Sequence, residues 1–225
     1  MRGKHFVIML MMLVPMLSHG QSWEARFVRS QSRVTELHTF SDVMSNSVYV
    51  VSIGLPIAQV IAGCAMRDDE QIHNAIASAA GVAITFGLKE GIKHIAQRQR
   101  PFQRYPGYIE PYYHDDSYSM PSGHTALAFN TATMLTLQYR RWYIAVPAYV
   151  WATGVGYARI NMGVHYPSDV LAGAALGALS AWGTYELNKF IWNATGNKPL
   201  FKSSRRERRK TDPEQLGMLW PKCEE

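Results

Sequence analysis

Cysteine is nearly absent. The chain of 225 residues has 2, Cys64 inside an apolar stretch and Cys223 near the C-terminus, which excludes a disulfide framework and a thiolate metal cluster. No internal repeat is visible, so solenoid and propeller architectures are excluded too. Acidic residues are in the minority, 17 Asp and Glu against 23 Lys and Arg, for a net charge of +6. The mean hydropathy of −0.15 is low for a chain that crosses a membrane several times. What is present, 47% hydrophobic residues, is enough for one domain with tails and excludes general disorder.

The N-terminus reads as an export signal. Arg2, Lys4 and His5 precede FVIMLMMLVPML, and SHGQ follows with small and polar residues; residues 1–20 are therefore expected to be a signal peptide, with an uncleaved first span as the alternative. Residues 21–46 carry Trp23, Phe27, Val34, Leu37 and Phe40 among charges. They are expected to form an amphipathic segment on the exported membrane surface.

Five weakly polar stretches follow, Val43 to Met66, Gln71 to Leu88, Thr125 to Tyr139, Trp142 to Ala158 and Val170 to Tyr185. Each approaches the length that crosses a bilayer and is rich in Gly, Ala, Ser and Thr, which let helices approach closely in lipid. The expected fold is all-α, a helical bundle integral to the membrane with five spans, or six if the signal is retained. A soluble all-helical core shares this pattern. If the mature N-terminus is exported, QYRR at 138–141 and the tail with KSSRRERRK face the cytoplasm, as the positive-inside rule requires. In the tail, residues 193–225, the basic run KSSRRERRK has no interleaved aromatics and no recognisable module around it, so nucleic acid is not the expected partner; anionic headgroups are.

The loops left on the exported side hold Lys93, Arg98, Arg100, Arg104 and Arg159, cations on the wrong side for topology alone. Their spacing is informative. Lys93 stands six residues before Arg100-Pro101; Pro121-Ser122-Gly123-His124 follows; Arg159, five residues, His165, three residues and Asp169 complete the set. In order and spacing these residues resemble the three-part signature of the type 2 phosphatidic acid phosphatases, a superfamily that includes bacterial acid phosphatases and vanadium haloperoxidases. The resemblance covers roughly residues 45–190 and departs at one place, where Ala158 replaces the family's Ser before Arg159. Losing one neutral hydrogen bond there costs about 1 kcal/mol.

Phosphoryl transfer accounts for the residue types. Charge on three equatorial oxygens must be neutralised while nucleophile and leaving group stay in line. Arg100 and Arg159 offer permanently charged forked donors and Lys93 a compact third charge. Ser122 and Gly123 stand where the helix beginning near Thr125 exposes free N–H groups to an anion. His165 is the expected nucleophile, oriented by Asp169, and His124 the expected general acid and base. His94 and Arg98 neighbour the site, behind these residues or facing a substrate headgroup. His114, Asp115 and Asp116 are contiguous in a loop and are not expected to bind metal; no cofactor is expected.

The expected protein is thus a phosphatase domain over residues 47–192, acting on a lipid phosphate or diphosphate at the periplasmic face of a bacterial inner membrane. A soluble exported acid phosphatase and a phosphate-binding membrane protein without catalysis remain alternatives. The substrate and the oligomeric state are not written in the sequence.

Overall fold

Runs of Ala, Ile, Leu, Val, Gly and Thr between charged turns become five long helices. The computed structural model describes residues 21–194; the expected signal and most of the basic tail lie outside the described residues. The elements are α1 (Gln21–Ser32), a 3-10 turn (Thr35–Leu37), α2 (His38–Met66), α3 (Asp69–Ala96), the single turn α4 (Pro101–Arg104), α5 (Gly123–Tyr139), α6 (Trp142–Asn161) and α7 (Pro167–Ala194). The described residues contain no strand. The expected amphipathic segment divides: residues 21–32 form α1, whereas 38–46 are the first turns of α2.

Two tight connections make antiparallel pairs. Arg67 closes α2 in the left-handed conformation (φ 50°), and Asp68 then caps α3 by accepting from the Glu70 amide at 2.9 Å. Arg140 closes α5 in the same left-handed way (φ 50°), and the extended Arg141 leads into α6 without a side-chain cap. At the other end of the bundle the connections are longer, residues 97–122 and 162–166. The C-terminal ends of α3 and α6 and the N-terminal ends of α5 and α7 therefore share one end with these loops.

Helix α5 is the axis. It packs against α7, α6, α3 and α2, and Gly123, Thr125–Ala128 and Asn130–Met134 are buried. Its approach to α7 requires glycine: a β-carbon at Gly173 would lie 2.5 Å from the Ser122 carbonyl oxygen, and one at Gly177 would collide with the Ala126 backbone.

Beside apolar clusters such as Val48, Leu127 and Val155, several helix contacts are polar. Ser52 bonds Thr131 (2.9 Å), Thr85 bonds Ser180 (2.5 Å), and Gln59 joins Ser78 (2.8 Å) to Gln138 (2.7 Å). The outer faces are apolar instead: Val50, Ile61, Val150, Leu171 and Phe190 are all exposed. Polar groups inside and large apolar groups outside suit lipid rather than water. Of the described helices, α2 and α3 are long and apolar enough by themselves to cross a membrane. Helices α5, α6 and α7 fall short of that measure; α5 and α7 bury Asn, Ser and Thr against their neighbours.

Candidate active site

The three sequence motifs converge at the end with the long loops. Lys93 lies in the last turn of α3, Arg100 directly before α4, Ser122 to His124 at the start of α5, Arg159 in the last turn of α6, and Asp169 in the first turn of α7. His165 sits in the loop between α6 and α7.

His165 is 1% exposed, and its two ring nitrogens face different partners. Nδ1 points to Asp169 Oδ2 at 3.6 Å and lies 3.5 Å from Ser119 Oγ. Nε2 faces Arg100 Nη1 at 3.2 Å. Burial first, then the charges of Arg100, Arg159 and Lys93, holds the imidazole well below the ordinary histidine range. It is neutral at physiological pH. The partners assign the tautomer: a proton on Nδ1 toward the carboxylate leaves the Nε2 lone pair on the cationic side.

Asp169 is fully buried and held from several directions. Its Oδ2 accepts from Ser119 Oγ (2.5 Å) and the Tyr166 amide (2.9 Å), and Oδ1 accepts from Arg98 Nη1 (2.6 Å). A carboxylate so bound has one rotamer to offer the histidine.

The cations differ in what they have left to give. Arg100, 1% exposed, donates to Ser117 O (2.8 Å), Val164 O (3.0 Å), Asp115 Oδ2 (2.5 Å) and Ser117 Oγ (2.9 Å) besides facing His165. Its five N–H groups are engaged. Lys93 donates to Ser117 Oγ (2.9 Å), leaving two of its donors. Arg159, 2% exposed, is bonded through Nη1 to Ser45 Oγ (2.8 Å), and its buried Nε has no partner among the described residues. An unpartnered buried guanidinium nitrogen favours an anion beside it.

The Pro-Ser-Gly-His turn is tied to the same carboxylate residue. The Ser122 amide donates to the Asp169 carbonyl at 3.0 Å, so it is committed within the protein. The free donors at the start of α5 are the amides of Gly123, His124 and Thr125, one residue further on than the sequence suggests. The Lys89 stem packs against Gly123, where a β-carbon would meet Lys89 Cδ at 2.8 Å. His124 lies within electrostatic reach of Arg159 and His165, and its ring meets the Tyr49 ring edge-on at 5.1 Å.

Four contributors escaped the sequence reading: Ser117, Ser119, Asp115 and Tyr49. Asp115, which is not expected to bind metal, accepts from Arg100 Nη2 instead. Burial alone would raise its carboxyl, but the Ser117 amide and Arg100 overcome that and hold it below the usual range. His114 packs on Phe102 (5.4 Å between rings), and Asp116 is exposed. Among the described residues no three His, Cys, Asp or Glu side chains converge as a metal site would need.

Fold and site together define an all-helical protein whose bundle end is an anion cradle carrying two imidazoles. The family model of the PAP2 superfamily matches residues 74–192, and the chain belongs to that superfamily. Among curated relatives, the lipid A 4'-phosphatase of Bacteroides thetaiotaomicron is 34% identical over 65 residues, 29% of this chain and 29% of that protein. The undecaprenyl-diphosphatase of Sulfolobus acidocaldarius is 34% identical over 101 residues, 43% of this chain and 46% of that protein. The chain thus spans less than half the length of either relative. Among solved structures, the transmembrane PAP2 type phosphatidylglycerolphosphate phosphatase of Bacillus subtilis superposes with a TM-score of 0.63 at 23% identity, covering 82% of this chain and 94% of that one. That likeness concerns the fold.

Proposed function

We propose that the protein is an integral membrane phosphatase that hydrolyses a lipid phosphate or diphosphate monoester through a phosphohistidine on His165. Its five long helices span a bacterial inner membrane, the site faces the periplasm, and the basic tail is cytoplasmic. The apolar exterior supports the membrane reading over a soluble enzyme. The curated relatives, a lipid A phosphatase and an undecaprenyl-diphosphatase, support a phosphorylated lipid as substrate.

One observation carries the mechanism: Nδ1 of His165 faces a buried carboxylate and Nε2 faces the cations. The phosphoryl group lies among Arg159, Lys93 and the free amides of α5, with Arg100 at its edge. Nε2 attacks phosphorus as the bond to the leaving oxygen breaks, and His124 gives that oxygen its proton. Asp169 stabilises the charge that develops on the imidazole. Water then attacks the phosphohistidine, His124 takes the water proton, and inorganic phosphate leaves.

The two histidines are separated by a single-turnover burst with p-nitrophenyl phosphate. His165→Ala loses both the p-nitrophenol burst and the acid-labile phosphate on the protein. His124→Ala keeps the burst, because p-nitrophenolate departs without a proton, and stalls afterwards for want of an activated water. A burst in the His165 variant and none in the His124 variant would reverse the roles.

A further inference from the structure

Helix α1 comes to the catalytic end from a stretch that no motif covers. Its large residues Trp23 and Phe27 are exposed, while Glu24 is only 3% exposed and Ala25 and Val28 pack against Ile109, Ile160 and Tyr166. Tyr157 donates its hydroxyl hydrogen to Gln31 Oε1 at 2.8 Å, and Asn161 donates to the Gln31 carbonyl at 2.8 Å, pinning the helix to α6. An acid buried in such a place requires partners.

Both carboxylate oxygens of Glu24 are used. Oε1 accepts from the Ser168 amide at 2.9 Å, in the first turn of α7, and Oε2 accepts from Arg98 Nη2 at 2.8 Å. The other end of the Arg98 fork donates through Nη1 to Asp169 Oδ1 (2.6 Å) and Ser168 Oγ (2.7 Å), and the guanidinium lies 4.1 Å over the Tyr166 ring. Arg98 is therefore shared between one carboxylate on α1 and the carboxylate that faces the nucleophile.

We propose that Glu24 and Arg98 are positioning residues for the hydrolysis: Glu24 fixes the Arg98 guanidinium, and Arg98 fixes the rotamer of Asp169 that aims His165. The inference rests on the phosphatase reading above and adds an exported helix to the machinery of that site. Without Arg98, Oδ1 of Asp169 loses a charged donor in a fully buried position, and the carboxylate turns toward whatever donor remains. Neither residue touches the phosphoryl group, so their contribution is alignment, where misplacement of about 1 Å costs up to about a hundredfold in rate.

The alternative is that Glu24 only docks α1. A double-mutant cycle on the full chain, purified in detergent and assayed with phosphatidic acid and with p-nitrophenyl phosphate, separates the two. Glu24→Gln retains the shape and the acceptor for the Ser168 amide but removes the charge that holds Arg98. Its kcat falls about ten- to a hundredfold, with KM and vanadate inhibition within about twofold of wild type. Arg98→Gln loses at least as much, and adding Glu24→Gln to it changes kcat by less than about twofold, because one effect passes through the other. Should Arg98→Gln not be recovered folded, Arg98→Lys, which keeps the charge and loses the fork, takes its place in the cycle. Losses that multiply, a change confined to KM, or an unchanged kcat in Glu24→Gln would each overturn the proposal. A wild-type protein silent on every phosphate ester would instead remove the phosphatase reading, and the positioning role with it.

Discussion

On the proposed function, Asp115 holds the place of a phosphoryl oxygen on Arg100, which makes Asp115→Asn the most informative single change. Its carboxylate sits on Arg100 Nη2 at 2.5 Å, with 28% of its side chain exposed against 1% for Arg100. A phosphoryl oxygen that uses Arg100 must displace it. A hydrogen bond between charged groups contributes about 1.5–3 kcal/mol, and the partial exposure of Asp115 favours the lower figure. An amide in its place still shapes the loop but accepts less strongly and carries no repulsive charge. At about 1.4 kcal/mol per factor of ten, the inhibition constants for inorganic phosphate and vanadate fall about tenfold in Asp115→Asn, and KM for p-nitrophenyl phosphate falls with them. Competitive inhibition, measured at fixed pH and at two salt concentrations, is the assay. Because Arg100 is buried, the gain persists at the higher salt. Unchanged or weaker inhibition would refute the displacement and would mean that Asp115 aims Arg100 at the substrate rather than standing in its way.

Other expectations follow from the packing and the charges. Gly173→Ala places a methyl group 2.5 Å from the Ser122 carbonyl; it should destabilise the bundle by about 1–3 kcal/mol and lower kcat/KM by shifting the Pro-Ser-Gly-His turn, and an unchanged Tm and rate would contradict the contact. His165 is held neutral in the folded protein, its proton affinity lowered by burial and by Arg100, Arg159 and Lys93. The unfolded chain takes up a proton near pH 6.5 that the folded one refuses, so stability is full above that pH and falls as pH drops, by up to about 1.4 kcal/mol per unit for one group. Tm measured from pH 7 to 5 should therefore decline less steeply in His165→Gln, and equal slopes would dismiss the group as the source. Tyr113 is exposed in the long loop; a cysteine there should react with an impermeant thiol reagent in intact cells, and one at Ser203 should not. The reverse labelling would turn the site to the cytoplasm.

The residues that read clearly in the sequence were those fixed by short intervals. Each motif is local, so its members stay together whatever the bundle does, and the alternation of helices brings Lys93, Arg100, His124, Arg159, His165 and Asp169 to one end. The five apolar stretches correspond to α2, α3, α5, α6 and α7 within a few residues at most of their ends. Long-range polar pairs left no such trace. Glu24 meets Arg98 across 74 residues, and Ser119 meets Asp169 across 50. In α1 the pattern of Trp23 and Phe27 marked an amphipathic helix, but the small residues Ala25 and Val28, beside Glu24, form its inward face and the aromatics its outer one. Large apolar groups indicate the buried face in water; beside lipid that rule reverses.

The enclosed position of α5 bears on how the chain is assembled. Its 17 residues carry Asn130, Thr131 and Thr133 in buried places, where they meet Ser180, Ser52 and Tyr149 of other helices. Alone in a bilayer this helix would present those groups to hydrocarbon. Helices α2 and α3 precede it in the chain and are apolar enough to insert by themselves. They form a two-helix template whose inner face already offers Ser52, Gln59 and Ser78. On the proposed membrane arrangement, the helix that begins with Gly123 inserts with the help of these partners, and α7 completes the end that holds His124 and Asp169.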